Sequence, residues 1–150
     1  MEGATPARLY ATVVGAVLVI AGIIGFFYSA SFGSPGSVDE VFGLLSVNAW
    51  HNVFHIITGA VGLLVAGFAA RQYALWFGLL YLAIAAWGFV IGSGDSILGF
   101  IPINTADSVL HLVLGVLGVA AYAASGGTSS ASRPGVPGGL DSTAAPPRSQ

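Results

Sequence analysis

All three histidines of this 150-residue chain fall in two matched stripes. The first reads Asn48-x2-His51-x3-His55-x3-Gly59-x2-Gly62, and the second reads Asn104-x2-Asp107-x3-His111-x3-Gly115-x2-Gly118. Spacings of three and four set each stripe on one face of a helix. His51, His55, His111 and Asp107 together make a nitrogen–oxygen donor set for zinc or another divalent metal. Asn48, Asn52 and Asn104 would then hydrogen-bond the ligands from outside. His55 and His111 alone could instead serve as the two axial ligands of haem b. The same side chains could simply join helices to one another, at about 1 kcal/mol or less per hydrogen bond in lipid. That reading needs no cofactor and is the default; a proton or small-solute path is the remaining option. Gly59, Gly62, Gly115 and Gly118 read as close-packing positions between helices.

Several chemistries are excluded. His51-Asn-Val-Phe-His55 has the two-histidine spacing of a metalloprotease helix but not its glutamate base. No Gly-x-Ser-x-Gly turn, phosphate-cradling loop or pair of intramembrane carboxylates is present. Cysteine is absent, which removes disulfides and thiolate chemistry. An enzyme is not expected.

The elements that must carry these residues are set by composition. The chain is 55% hydrophobic and only 7% charged, where soluble domains carry about 25% charged residues. There is no lysine to build a basic face for nucleic acid. The partner that this composition demands is the lipid bilayer. Spanning roughly 30 Å of hydrocarbon takes about 20 apolar residues, and four segments qualify: 9–30, 48–70, 73–91 and 105–124. Backbone groups in lipid must bond within their own segment, so each should be a helix. Tyr10, Tyr28, Trp50, Tyr73 and Tyr122 lie near the ends, as interfacial belt residues do. Tyr81, Trp76 and Trp87 read as core filler or lipid-facing residues. Arg8, Arg71, Arg133 and Arg148 all fall on one side of the four spans, whereas the other loops hold Asp39, Glu40 and Asp95. The positive-inside rule puts both termini in the cytoplasm. The segment 125–150 is mostly Gly, Ser, Pro, Ala and Thr, and is expected to be a disordered cytoplasmic tail.

A signal-peptide reading of the first span is set aside because the span recurs. An offset of 63 residues aligns Ala7, Arg8, Tyr10, Ala11 and Gly15 with Ala70, Arg71, Tyr73, Ala74 and Gly78. An offset of 56 then pairs Asp39 with Asp95, Asn48 with Asn104, and His55 with His111. The expected fold is all-α: two copies of a helical hairpin, parallel in the membrane, forming a pseudo-twofold four-helix bundle. The segments Val41-Phe-Gly-Leu-Leu45 and Ile97-Leu-Gly-Phe-Ile101 are too short to cross and should lie at the outer interface. If the second and fourth spans face the axis, His55 and His111 approach each other, with His51 and Asp107 on the same inward side. If the first and third spans line it through Gly15, Gly25, Gly78 and Gly88, two separate half-sites result.

The Asn-x2-His-Asn-x2-His stripe, the short link at Arg71 and the Asn104-x2-Asp-x3-His111-x3-Gly stripe together resemble a known family. It comprises small bacterial four-span membrane proteins catalogued as a domain of unknown function (DUF4383), and the resemblance covers about residues 7–124. It implies a multi-pass protein of the bacterial plasma membrane and brings no known activity, substrate or cofactor.

Overall fold

The computed structural model describes residues 4–33 and 38–126. Its elements are α1 (Pro6–Tyr28), β1 (Asp39–Val41), β2 (Leu45–Val47), α2 (Ala49–Val65), α3 (Ala70–Ile91), β3 (Asp95–Ile97), β4 (Ile101–Ile103) and α4 (Thr105–Gly126). Helix α1 starts where Thr5 accepts a hydrogen bond from Arg8 N and Pro6 supplies a ready helical φ. Helix α3 ends at Gly92, whose φ of 83° is open to glycine at no steric cost.

Helices α1, α3 and α4 are each long and apolar enough to cross a membrane. Helix α2 is shorter, at 17 residues. The segment expected to run unbroken to Ala70 stops at Val65, and residues 66–69 form the turn into α3. At the far end, α4 extends two residues past the expected limit, to Gly126; the rest of the anticipated tail lies outside the described residues.

The fold is not purely helical. The two short apolar segments are the bends of antiparallel two-stranded hairpins, β1–β2 and β3–β4. Strands of three residues are too short to show a period-two pattern, so nothing in the sequence points to them. At their bends, Phe42 and Gly43 have φ of 54° and 69°, and Leu98 and Gly99 have φ of 55° and 78°. Positive φ is uncommon for bulky side chains and marks a tight turn. Phe42 and Leu98 are both exposed.

Packing inverts the usual rule. The face of α1 that is buried carries Ala7, Ala11, Val14, Leu18, Gly22 and Gly25, while Leu9, Val13, Val17 and Ile20 point outward. Lipid tails are as apolar as leucine, so large side chains gain little by hiding and small ones let backbones approach. Helix α1 packs along α2, and α3 along α4; α1 also touches α3 and α4. Gly15 and Gly59 meet at the first contact, where a Cβ on Gly15 would stand 2.8 Å from the carbonyl of Gly59. Gly78 and Gly115 meet in the same way at the second, at 3.1 Å.

Two expected belt residues are buried. Tyr10 and Tyr73 are 6% and 4% exposed, with ring centroids 6.2 Å apart. Tyr10 Oη donates to Leu114 O on α4 (3.0 Å), and Tyr73 Oη donates to Thr58 O on α2 (3.1 Å). Each hydroxyl has found a carbonyl on the other helical pair, which is how a buried phenol is satisfied. One turn before Tyr10, the start of α1 is tied to the end of α4 by Ala7 N donating to Ser125 Oγ (2.8 Å).

Candidate functional site

The polar side chains gather at the hairpin end, where α2 and α4 begin. Asn48 caps α2, its Oδ1 accepting from His51 N at 2.9 Å. Its Nδ2 reaches away to donate to Phe100 O, at the bend of the β3–β4 hairpin (2.6 Å). Asn104 does the same for α4: Oδ1 accepts from Asp107 N (2.9 Å), and Nδ2 donates to Leu44 O (2.8 Å) and Ser46 Oγ (3.0 Å) of the β1–β2 hairpin. Leu44 and Phe100 are themselves 56 residues apart (100 minus 44), like the two asparagines. Each asparagine therefore fastens the start of its own helix to the other hairpin.

Asp107 closes a capping box by accepting from Asn104 N (3.1 Å) with the same Oδ2 that accepts from Ser46 N (3.0 Å). These two charge-assisted bonds to backbone N–H groups account for a carboxylate that is only 3% exposed. Asp107 consequently stands apart from the metal-ligand set expected from spacing. At the equivalent place in α2, His51 sends Nδ1 to Ser46 O (2.9 Å). A carbonyl can only accept, so Nδ1 carries the hydrogen and the lone pair of a neutral ring sits on Nε2.

Those constraints converge on three imidazoles. His51 Nε2 and His55 Nε2 are 3.1 Å apart. The His111 ring lies 6.0 Å from that of His51 and 6.3 Å from that of His55, centroid to centroid. One ring nitrogen from each of the three lies within 4.8 Å of the others. His51 and His111 are buried and His55 is half-buried. His111 Nδ1 is buried without a hydrogen-bond partner, and the His111 ring stacks on Tyr81 at 5.3 Å and 13°. Haem does not fit this arrangement. The macrocycle around an iron held by His55 and His111 would need the space that His51 fills, its ring centroid lying 4.4 Å from that of His55.

Two cavities flank the histidines. One, of about 290 Å³, adds Thr58, Tyr81, Ile84 and Trp87 to the three rings. The other, of about 200 Å³, sets Leu114, Leu18, Ala21 and Ile24 at the corresponding positions, and Asp107 also lines it. The second is the aliphatic counterpart of the first.

The remaining sequence candidates do structural work. Asn52, fully buried, donates from Nδ2 to Ser29 O (2.9 Å), and its Oδ1 lies against Gly25. Ser108 lies against Gly88 in the same fashion and donates to Asn104 O at 2.9 Å. Gly62 sits under the Tyr73 ring and Gly118 beside Tyr10 Oη, so all four stripe glycines lie at helix contacts. Spacing did not single out Ser46, Thr58, Tyr81, Tyr10 or Tyr73. Ser46 acts through its backbone, which no side-chain pattern reveals. The recurrence of Tyr10 at Tyr73 was the available signal for the two phenols.

No curated protein and no solved structure matches the chain. A family match covers residues 8–124, which takes in the paired helices, both hairpins and all of the polar cluster. The chain belongs to the family described as Domain of unknown function (DUF4383), and is a membrane protein whose helices hold a largely buried histidine cluster.

Proposed function

We propose that this is a four-span accessory or structural protein of the bacterial plasma membrane, with no enzymatic activity and with both termini in the cytoplasm. Its four helices form a pseudo-twofold bundle of two hairpin copies, the axis running along the membrane normal, and its hairpin end faces outward. The His/Asn/Asp cluster is the polar clasp that joins the copies in the outer half of the bilayer. The reciprocal bonds of Asn48 to Phe100 O and of Asn104 to Leu44 O carry this reading. Each uses a side chain of one copy and a backbone carbonyl of the other. The recurrence of α-β-β-α in the element order and the matched tyrosine bonds support the two-copy arrangement.

Replacing each asparagine by serine separates the clasp from the cap. Serine caps a helix about as well as asparagine, but it has no Nδ2 to reach the other hairpin. Asn48→Ser and Asn104→Ser should each cost about 0.6–1.7 kcal/mol, the range for interhelical hydrogen bonds in membranes. Thermal unfolding of the purified protein in detergent micelles measures this. Stabilities within about 0.3 kcal/mol of the parent for both variants would reject the clasp.

A further inference from the structure

Within the clasp, the hydrogen bonds that cross between the copies come from the asparagines and Asp107, not from the histidine rings. Asn48, Asn104 and Asp107 are hydrogen-bonded to backbone groups, whereas the three imidazoles turn nitrogens toward one another, and among the described residues no carboxylate joins their set. We propose that His51, His55 and His111 bind one divalent first-row transition-metal ion, of the class that imidazole favours, such as zinc.

Four observations support the site. First, His51 is held in the tautomer that a metal ligand needs. Its Nδ1–H is fixed on Ser46 O at 2.9 Å, the kind of outer hydrogen bond that orients metal-bound histidines and leaves Nε2 free to coordinate. Second, the spacing of the first two nitrogens suits a shared ion. Two nitrogens each about 2.05 Å from a tetrahedral zinc stand about 3.3 Å apart, and His51 Nε2 and His55 Nε2 are 3.1 Å apart. Third, the third ring is close enough to close the set, with one nitrogen from each histidine inside 4.8 Å. Fourth, His111 is 5% exposed and its Nδ1 has no hydrogen-bond partner among the described residues. A buried polar atom without a partner is costly, and hydrogen bonding among the three rings does not remove that cost.

The donor set also describes the ion. Three neutral nitrogens and no thiolate fit zinc, copper, nickel or iron better than calcium or magnesium, which demand oxygen ligands. The ligands come from both copies, so the ion would sit between α2 and α4, beside both cavities. Three protein ligands leave a fourth position for water or a small anion.

The test uses the full chain purified in detergent, stripped with a chelator and then titrated with cobalt(II), a coloured stand-in for zinc. The expected result is one cobalt per chain, with the intense visible bands of a four-coordinate ion that equimolar zinc abolishes. His55→Ala and His111→Ala should each weaken binding at least tenfold, while Asp107→Asn should bind within threefold of the parent. His55 is half-buried and has few hydrogen bonds to lose, so its variant serves if His111→Ala does not fold; the elution profile on gel filtration checks this. Absence of stoichiometric uptake by the parent chain overturns the proposal. So does equal uptake by His55→Ala, or a loss in Asp107→Asn as large as that in His55→Ala. The asparagine-to-serine variants fail or succeed on stability alone, so the two readings are judged separately.

Discussion

Ser46 and Pro102 stand at equivalent positions in their hairpins, 56 residues apart (102 minus 46), and only Ser46 has an N–H to offer. That difference accounts for the one chemical asymmetry between the polar stripes. Asp107 faces the N–H of Ser46 and accepts from it. The residue in the matching place, His51, lines a cavity together with Pro102, and an aspartate there would find no N–H on the proline and would bury a charge at high cost. An imidazole there is neutral and can send its own N–H to Ser46 O instead. Ser46→Pro should therefore strand the Asp107 carboxylate with one backbone bond fewer and destabilise the protein by about 1–3 kcal/mol. Adding Asp107→His to that variant should restore part of the loss, because the pair then matches the one already present in the other half. Chemical or thermal unfolding of the two variants reads this out, and a double variant no more stable than Ser46→Pro would contradict the explanation.

At the level of elements, glycine placement decides how closely helices approach. A Cβ on Gly78 would stand 2.9 Å from Val119 N and 3.1 Å from Gly115 O, backbone atoms that cannot turn aside. Gly78→Ala should push α3 from α4 and cost about 1–3 kcal/mol, the usual range for overpacking. Gly67, in the turn after α2, has nothing within 4 Å of such an atom. Gly67→Ala should be neutral or slightly stabilising, and comparing the two thermal transitions tests the contrast. The helices were legible in the sequence because apolar length is a strong signal. The one-sided stripes of Asn48 and His55, and of Asn104 and His111, put these residues on single helix faces but left open whether the faces share one site or form two half-sites. Spacing could not show that Asp107 would turn to backbone N–H groups, because the partner is the main chain of a distant segment. Nor could it show the hairpins, since three-residue strands are specified by turn geometry at Phe42-Gly43 and Leu98-Gly99 and not by periodicity.

For the whole molecule, orientation and metal occupancy are the measurable properties. With both termini inside, a cysteine at exposed Ser93 should react with an impermeant thiol reagent on intact cells, and one at exposed Gln72 should react only after lysis. The reverse pattern would invert the topology. Zinc at a hundred times its Kd should add about 2.7 kcal/mol to the unfolding free energy, and His55→Ala should abolish that gain. A gain of equal size in the variant would place the ion elsewhere.

The crossed tyrosine bonds bear on how the chain is made. Tyr73 finds its acceptor only 15 positions back, at Thr58, so that bond can close as soon as α3 enters the bilayer. Tyr10 must wait for Leu114, 104 positions later. At roughly 5–20 residues per second of synthesis, Tyr10 waits on the order of five to twenty seconds for that acceptor to be made. Two nascent first halves could meanwhile satisfy one another, since Thr58 O occupies the place of Leu114 O, and Leu44 O the place of Phe100 O. Residues 1–69 produced alone should thus assemble as a symmetric dimer. The tether between the halves would then act chiefly as a timer, delivering the second half before a neighbouring ribosome supplies a rival.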